Sequence, residues 1–216
     1  MFAALDEGYV SEATLPIMRI WPDPVQPRRT IPVAARTASK WSGDPAGVMD
    51  AFETWRTMAE AELARVLRVH DVGFEHLDIK RILRGQGQVL DFKDANDNAI
   101  PLPPVVVKFL DLLQLAQSIH ADGQINPITV GVGGDRYVIE TGERRWLSHH
   151  VLTQYVDEAY SKIKAVEVVP DVWRQAAENN NRDELTAIGK ARQIAVLIMA
   201  MYQGDDGVDF YPIDFF

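Results

Sequence analysis

The chain has 216 residues, of which 47% are hydrophobic and 25% are charged, so it can bury a core in one or two compact domains and is not a disordered segment. Its 31 acidic and 22 basic side chains give a net charge of -9, which argues against nucleic-acid binding through a general positive field. The absence of cysteine excludes disulfides, thiolate metal sites and a cysteine nucleophile. The sequence shows neither a signal-peptide pattern nor an apolar run long enough to span a membrane, so we expect a cytoplasmic protein without membrane contact.

Three elements are predicted in the first hundred residues. Alternation of apolar and polar residues over 15–21 predicts a short strand, and the three prolines that follow require an extended or turning chain. Residues 45–69 carry apolar side chains three and four positions apart, which predicts an amphipathic helix. Residues 77–92 are predicted to form two short extended segments around Gly85 and Gly87.

The second half of the chain predicts helices and strands in alternation. A helix over 106–120 ends near Gly123, and a hairpin with strands over 127–132 and 137–140 follows. The remaining predicted elements are a helix from Gly142 to near Tyr155, a strand over 165–169, a helix capped by Asp171 and a last helix capped by Thr186.

The segment Gly142-Glu143-Arg144-Arg145 lies where a predicted strand gives way to a helix. Backbone N–H groups at a helix N-terminus are unpaired and stand at the positive end of the helix dipole, and a glycine there allows an anion to approach. Two arginines can bind phosphate oxygens bidentately. The segment is therefore a candidate phosphate site, although two arginines in a first turn, taken alone, are more often solvated surface residues.

Two further polar segments carry weaker signals. Residues 123–129 turn a helix into a strand through Asn126 and a proline, and such a turn can present backbone amides and the side chains of Asn126 and Thr129 to a ligand. Residues 178–182 place three asparagines between a glutamate and an arginine, and carboxylate and amide oxygens suit Mg²⁺. Ordinary connections between elements have the same compositions, and for 178–182 a polar loop between helices is the interpretation that composition alone favours.

The five histidines do not indicate a metal site. His149 and His150 are adjacent and point about 100° apart on a helix, and the other three have no partner at ligand spacing. The five tryptophans are scattered, so we expect structural roles for them and no stacking platform for nucleic acid.

Four segments in this order carry a resemblance to a known family: Gln26-Pro27-Arg28, residues 115–129, residues 137–146 and Glu178-Asn179-Asn180-Asn181-Arg182. Together they resemble the N-terminal domain of the ParB family of chromosome and plasmid partition proteins. In that family a QPR segment, a G-x-x-x-P-I-x-V turn, GERR and ENxxR build a pocket for CTP and Mg²⁺. The resemblance implies an α+β fold of the ParB and sulfiredoxin-like superfamily, with a small mixed sheet and helices, a mostly helical insertion and a C-terminal helical segment.

The resemblance implies a role for each matching residue. The triphosphate would be held by Gly142, Glu143, Arg144 and Arg145, with Arg182 as a further cation. The base and sugar would be lined by Gln26, Arg28, Gly123, Asn126 and Thr129. Asn179 and Glu178 would face the metal, with Glu178 beside the γ-phosphate. If the pocket hydrolyses CTP, Glu178 is the first candidate to orient the water and Glu143 is the second.

The chain departs from the family pattern in several ways. Leu147 stands where the family usually has another cation, and residues 30–109 are far longer than the usual link. We divide the chain into the N-terminal strand of the ParB-like domain (1–29), an inserted subdomain available to a protein partner (30–109), the nucleotide-binding core (110–170), and C-terminal helices with an acidic tail (171–216). The family's DNA-reading domain does not follow residue 182, so DNA would be bound only through a domain that this sequence lacks.

Three functions remain open, in this order. The first is a switch in DNA partition or a related process that binds CTP and Mg²⁺, closes as a homodimer and is reset by slow hydrolysis. The second is a small-molecule kinase or phosphotransferase that uses ATP or ADP with Glu143 or Glu178 as base. The third is a non-catalytic interaction domain. A nuclease is disfavoured because the sequence shows no cluster of three carboxylates at metal spacing and its net charge would repel the substrate.

Overall fold

The computed structural model describes residues 11–24, 29–86, 92–168, 190–191 and 193–199. A five-stranded sheet combines there with α-helices, so the predicted α+β fold is confirmed. The elements are β1 (Ser11–Pro16), β2 (Ile20–Pro22), α1 (Val33–Ser39), α2 (Val48–Val69), α3 (Ile79–Leu83), α4 (Pro104–Asp122), β3 (Ile128–Gly133), β4 (Arg136–Thr141), α5 (Glu143–Tyr155) and β5 (Lys162–Glu167). Residues 190–191 and 193–199 are also helical, whereas Asp171 and Thr186 lie outside the described residues. None of the helices described is long and apolar enough to cross a membrane.

The sheet is mixed, with the strand order β1-β5-β3-β4-β2. The pairs β1–β5 and β3–β4 are antiparallel, and the pairs β3–β5 and β2–β4 are parallel. The single strand predicted over 15–21 is wrong: β1 ends at Pro16, a 3-10 turn covers Ile17–Arg19, and β2 begins at Ile20 on the opposite edge of the sheet. The buried side chains of Ile17 and Ile20 produced the misleading pattern, because a tight turn packed against the core also needs apolar residues.

Helix α2 is the amphipathic helix predicted over 45–69, and its apolar side faces the core. Phe109 of α4 packs against it, with its ring centroid 5.3 Å from those of Phe52 and Trp55. The indole Nε1 of Trp55 donates a hydrogen bond to the carbonyl oxygen of Val105 at 3.2 Å. The buried residues of α2, α4, α5 and the sheet belong to one hydrophobic cluster, so the helices of residues 30–109 share their core with the rest of the fold.

Residues 79–83 form helix α3, where the sequence predicted extended chain. Asp78 caps this helix, because its side chain accepts a hydrogen bond from the backbone N–H of Arg81 at 3.1 Å. Ile79, Ile82 and Leu83 are buried on its inner side. The prediction of extended segments is wrong for these residues, since a helix of five residues is too short to show a reliable period. Residues 87–91 lie outside the described residues.

The helix, hairpin and helix predicted after residue 106 are confirmed. Gly123, with φ of 78°, is the C-cap residue of α4, and the hairpin turns at Gly134 with φ of 67°. Thr129 in β3 pairs with Thr141 at the end of β4. The turn that enters β3 and the first residues of α5 therefore lie at the same end of the hairpin.

Candidate functional site

Gly142 forms the junction between β4 and α5. Its φ of 96° and ψ of 24° are left-handed, and it is the N-cap residue of α5. A Cβ atom at this position would lie 2.6 Å from Cγ2 and 3.1 Å from Cβ of Ile128, the first residue of β3. The glycine thus allows β3 to approach the unpaired N–H groups at the start of α5. This N-terminus carries the positive end of a 13-residue helix.

Arg145 connects the start of α5 to the turn that enters β3. Its Nη1 donates hydrogen bonds to the carbonyl oxygens of Asn126, at 2.8 Å, and of Pro127. The contact brings the predicted phosphate segment and the predicted base-side turn together.

Arg144 and Thr129 flank this contact on the surface of the same region. Arg144 is exposed, and its Nη2 donates to the carbonyl oxygen of Asp111 in α4 at 3.1 Å. The hydroxyl of Thr129 donates to the hydroxyl of Thr141 at 2.9 Å. Both predicted site residues therefore lie on the elements that meet at Gly142.

Gln124 holds the turn against the neighbouring strand β5, a role that the sequence analysis missed. The side chain is buried, and its Nε2 donates to the carbonyl oxygens of Asn126 at 3.1 Å and Lys164 at 2.9 Å. Its Oε1 accepts from the backbone N–H of Lys164 at 2.7 Å. The side chain of Gln124 thus pairs with the backbone of Lys164 in β5, as a neighbouring strand would, just before the chain enters β3. Its polarity in a glycine-ended turn was the only signal for this in the sequence.

Replacement of Gln124 by leucine is expected to lower the free energy of unfolding by about 2 kcal/mol, because it leaves the N–H and C=O of Lys164, which are part-buried at this contact, without their partner. Urea unfolding followed by circular dichroism measures the change. Gln114→Leu, on the exposed side of α4, is the matched control and should change stability by less than about 0.5 kcal/mol. Equal stabilities for the two variants would contradict this role of Gln124.

Glu143, the first residue of α5, is bound from two sides by the chain that leaves β2. Its Oε1 accepts a hydrogen bond from the backbone N–H of Thr30 at 3.0 Å, and its Oε2 lies 3.5 Å from Nε of Arg29. The side chains of this ion pair are only 10% and 11% exposed. Burial raises the pKa of Glu143 above its ordinary value, while the charge of Arg29 and the Thr30 hydrogen bond act to lower that pKa.

Arg29 is a site residue that the sequence analysis did not single out. Its Nη1 donates to the carbonyl oxygen of Asp23 at 2.9 Å, and its guanidinium carbon lies 5.7 Å from the ring centroid of Trp41. The residue directly follows the predicted QPR segment, but its contact with Glu143 joins positions 114 residues apart, which no local pattern reveals.

The inner side of α5 is apolar, apart from Ser148 and two histidines. Leu147, which replaces a family cation, is 1% exposed and belongs to the core. Trp146 donates from Nε1 to the carbonyl oxygen of Ile17 at 3.1 Å, and its ring lies 4.5 Å from that of His150. Burial lowers the pKa of His150 to about 3, with a smaller contribution from His149, and burial also lowers the pKa of His149. These histidines are neutral core residues at neutral pH.

The other predicted site residues are Gln26, Arg28, Glu178, Asn179 and Arg182, and they lie outside the described residues. Their roles stay predictions, including the metal contacts of Glu178 and Asn179. In the part of the chain that the structure describes, no group of three or more His, Asp or Glu side chains is placed to hold a metal ion.

The fold and the junction at Gly142 define an α+β domain in which a hairpin presents a helix N-terminus beside two arginines. Residues 98–169 match the family model described as the ParB N-terminal domain. This match supports a ParB N-terminal domain over these residues. Neither the comparison with curated proteins nor the comparison with solved structures gave a match.

Proposed function

We propose that this chain binds CTP with Mg²⁺ and acts as a nucleotide-dependent switch in DNA partition or a related process. The observation that supports this most strongly is the set of direct contacts among segments that are distant in sequence. Arg145 bonds to Asn126 in the turn, and Glu143 bonds to Thr30 just after the QPR segment. Two of the four segments that resemble the family therefore meet at the first turn of α5, together with the chain that follows the QPR segment.

The triphosphate would bind at the N-terminus of α5. Free N–H groups at this position favour an anion, and Arg144 and Arg145 add two cationic side chains. Arg144 is exposed and makes one hydrogen bond, so its guanidinium retains donors for phosphate oxygens. Arg145 would contact phosphate while holding the carbonyl oxygens of the turn, which sets the distance between the phosphate side and the base side of the pocket.

Magnesium would be held by Glu178 and Asn179 together with phosphate oxygens, a ligand set that suits this ion. When bound, Mg²⁺ supplies neutralisation of phosphate charge. Glu178 would orient water if CTP is hydrolysed, and Arg182 would add a further cation. In the switch that we propose, nucleotide binding favours a closed homodimer and hydrolysis returns the chain to its open state.

Titration of the purified chain with CTP, ATP, ADP and GTP in Mg²⁺ by calorimetry tests this function. We expect CTP to bind and Arg144→Ala to weaken that binding about tenfold, because a charged hydrogen bond to phosphate is lost. Arg145→Ala should weaken binding at least as much and should also destabilise the fold, since it releases the turn. Arg65→Ala, which removes an exposed arginine of α2, is the matched control and should bind CTP like the parent chain.

Two outcomes would contradict the proposal in different ways. Binding of adenine nucleotides in preference to CTP would favour the phosphotransferase, and turnover stimulated by a hydroxylated acceptor would then identify its substrate class. Absence of binding to all four nucleotides would favour the interaction domain. The burial of Leu147 in place of a family cation is the specific observation that supports this last alternative.

A further inference from the structure

Helix α3 and its C-cap residue divide into an apolar inner face and a basic outer face. The inner face is buried and packs into the core through Ile79, Ile82 and Leu83. The outer face is exposed and carries Lys80, Arg81 and Arg84. Because successive residues of an α-helix are about 100° apart, these three side chains fall within an arc of about 100°. We call these three residues the basic face of α3.

The backbone beneath the basic face is held in place at the start of the helix. Asp78 caps α3 by accepting a hydrogen bond from the backbone N–H of Arg81 at 3.1 Å. The preceding residue, Leu77, donates from its backbone N–H to Glu60 at 3.0 Å and accepts from Arg56 at 3.1 Å. Both of these partners belong to α2. The fold therefore presents the basic face in a fixed direction, which reduces the ordering that binding would require.

The basic face concentrates positive charge within an acidic chain. Residues 79–86 contain three basic side chains and no acidic one, although the whole chain has 31 acidic and 22 basic residues. Among the residues that the structure describes, none forms an ion pair with the basic face. The net charge argues against a general positive field, but a local patch acts on anions within a Debye length of about 10 Å. Contact with a polyanion at this face is therefore compatible with the acidic composition.

We propose that the basic face of α3 contacts the phosphate backbone of double-stranded DNA without reading its sequence. The inference rests on the proposed function in a DNA-associated process, which makes a duplex the polyanion that this chain meets. A duplex carries one negative charge per about 1.7 Å of its axis, so three cations on one face can contact several phosphates together. Within the described residues 77–86, no large apolar side chain is exposed, which disfavours a protein partner because protein interfaces bury apolar anchors at their centre.

Fluorescence anisotropy of two short duplexes of unrelated sequence, with and without CTP, tests this surface in the full chain. We expect the parent chain to bind both duplexes equally. The triple variant Lys80→Gln, Arg81→Gln and Arg84→Gln should bind them more weakly by about tenfold or more at about 50 mM salt. Each lost phosphate contact should lower the slope of log affinity against log salt concentration by about 0.9, so the triple variant should lose about 2.7 of the slope.

A charge-matched triple variant separates the basic face from the net charge. It carries Arg65→Gln, Arg68→Gln and Lys108→Gln, which remove three cations from exposed positions of α2 and α4. This control should keep the affinity and the salt slope of the parent chain. Both triple variants should unfold in urea at the same midpoint as the parent chain, because all six substitutions are at exposed positions.

Three results would overturn the inference. One is a parent chain that binds neither duplex, and another is an equal loss of affinity in the two triple variants. The third is displacement of the duplex by polyglutamate at equal charge concentration, which would assign the face to an acidic protein segment. CTP affinity in Mg²⁺, measured on the same samples, should be unchanged by the α3 substitutions. Loss of CTP binding with DNA binding retained would contradict the proposed switch alone.

Discussion

Substitution of Gly142 by alanine is expected to lower the free energy of unfolding by about 3 kcal/mol and to abolish CTP binding at concentrations that saturate the parent chain. Two destabilising effects add at this residue. The left-handed φ of 96° is unfavourable for any residue with a Cβ atom, and that Cβ would lie 2.6 Å from Cγ2 of Ile128. Relief of this overlap requires β3 to move away from the first turn of α5. Urea unfolding and calorimetric titration measure the two effects.

Gly134→Ala separates the two effects. Gly134 also has a left-handed φ, 67°, but a Cβ atom there would meet nothing within 4 Å. We expect it to cost only about 1 kcal/mol, from backbone strain alone, and to leave CTP binding unchanged. If Gly142→Ala is no more destabilising than Gly134→Ala, close approach of β3 to α5 is not what requires the glycine.

Acid is expected to destabilise the fold through His150. Because the pKa of His150 is lowered to about 3 in the native state, the unfolded chain binds a proton below about pH 6.5 that the native chain does not. Stability from this group is present above pH 6.5 and is lost as the pH falls towards 3. The loss approaches about 1.4 kcal/mol per pH unit once the histidine of the unfolded chain is protonated, which gives about 2 kcal/mol between pH 6.5 and 4.5.

His150→Gln should flatten this dependence, since glutamine does not titrate. His76→Gln, at an exposed histidine, is the control and should retain the slope of the parent chain. The difference between variant and parent is the quantity to compare, because other groups titrate as well. His149 acts in the same direction as His150, whereas Glu143, with its raised pKa, contributes stability that is lost as the pH rises. Parallel pH curves for His150→Gln and the parent chain would contradict the prediction.

The helices that the sequence predicted correctly are those with several turns of periodic pattern. Helix α2 has 22 residues and α5 has 13, so their apolar positions repeat often enough to define a face. Helix α3 has five residues, and its capping by Asp78 is the main local signal for it. The sequence predicts strand at Ile17–Arg19, where a 3-10 turn forms with Ile17 buried. Short elements are therefore determined by tertiary contacts that a local pattern does not contain.

The candidate site shows the same division between local and distant information. The position of Gly142 between a strand and a helix could be predicted, since glycine and the apolar periods mark it locally. The clash that a Cβ atom at position 142 would make depends on Ile128, and the ion pair of Glu143 depends on Arg29. The sequence does not state such pairings, because each depends on how the hairpin and the chain after β2 are brought to α5.

The connection between β1 and β2 fixes the curvature of the sheet. These strands lie on opposite edges, four strand spacings apart, which in a flat sheet would separate them by about 19 Å. The chain from Pro16 to Ile20 spans at most about 15 Å even when fully extended, and a 3-10 turn shortens it further. The sheet must therefore curl until its two edges approach each other. The indole Nε1 of Trp146 donates a hydrogen bond to the carbonyl oxygen of Ile17 within this connection. Insertion of a few residues into the connection is therefore the change that would let the two edges of the sheet separate.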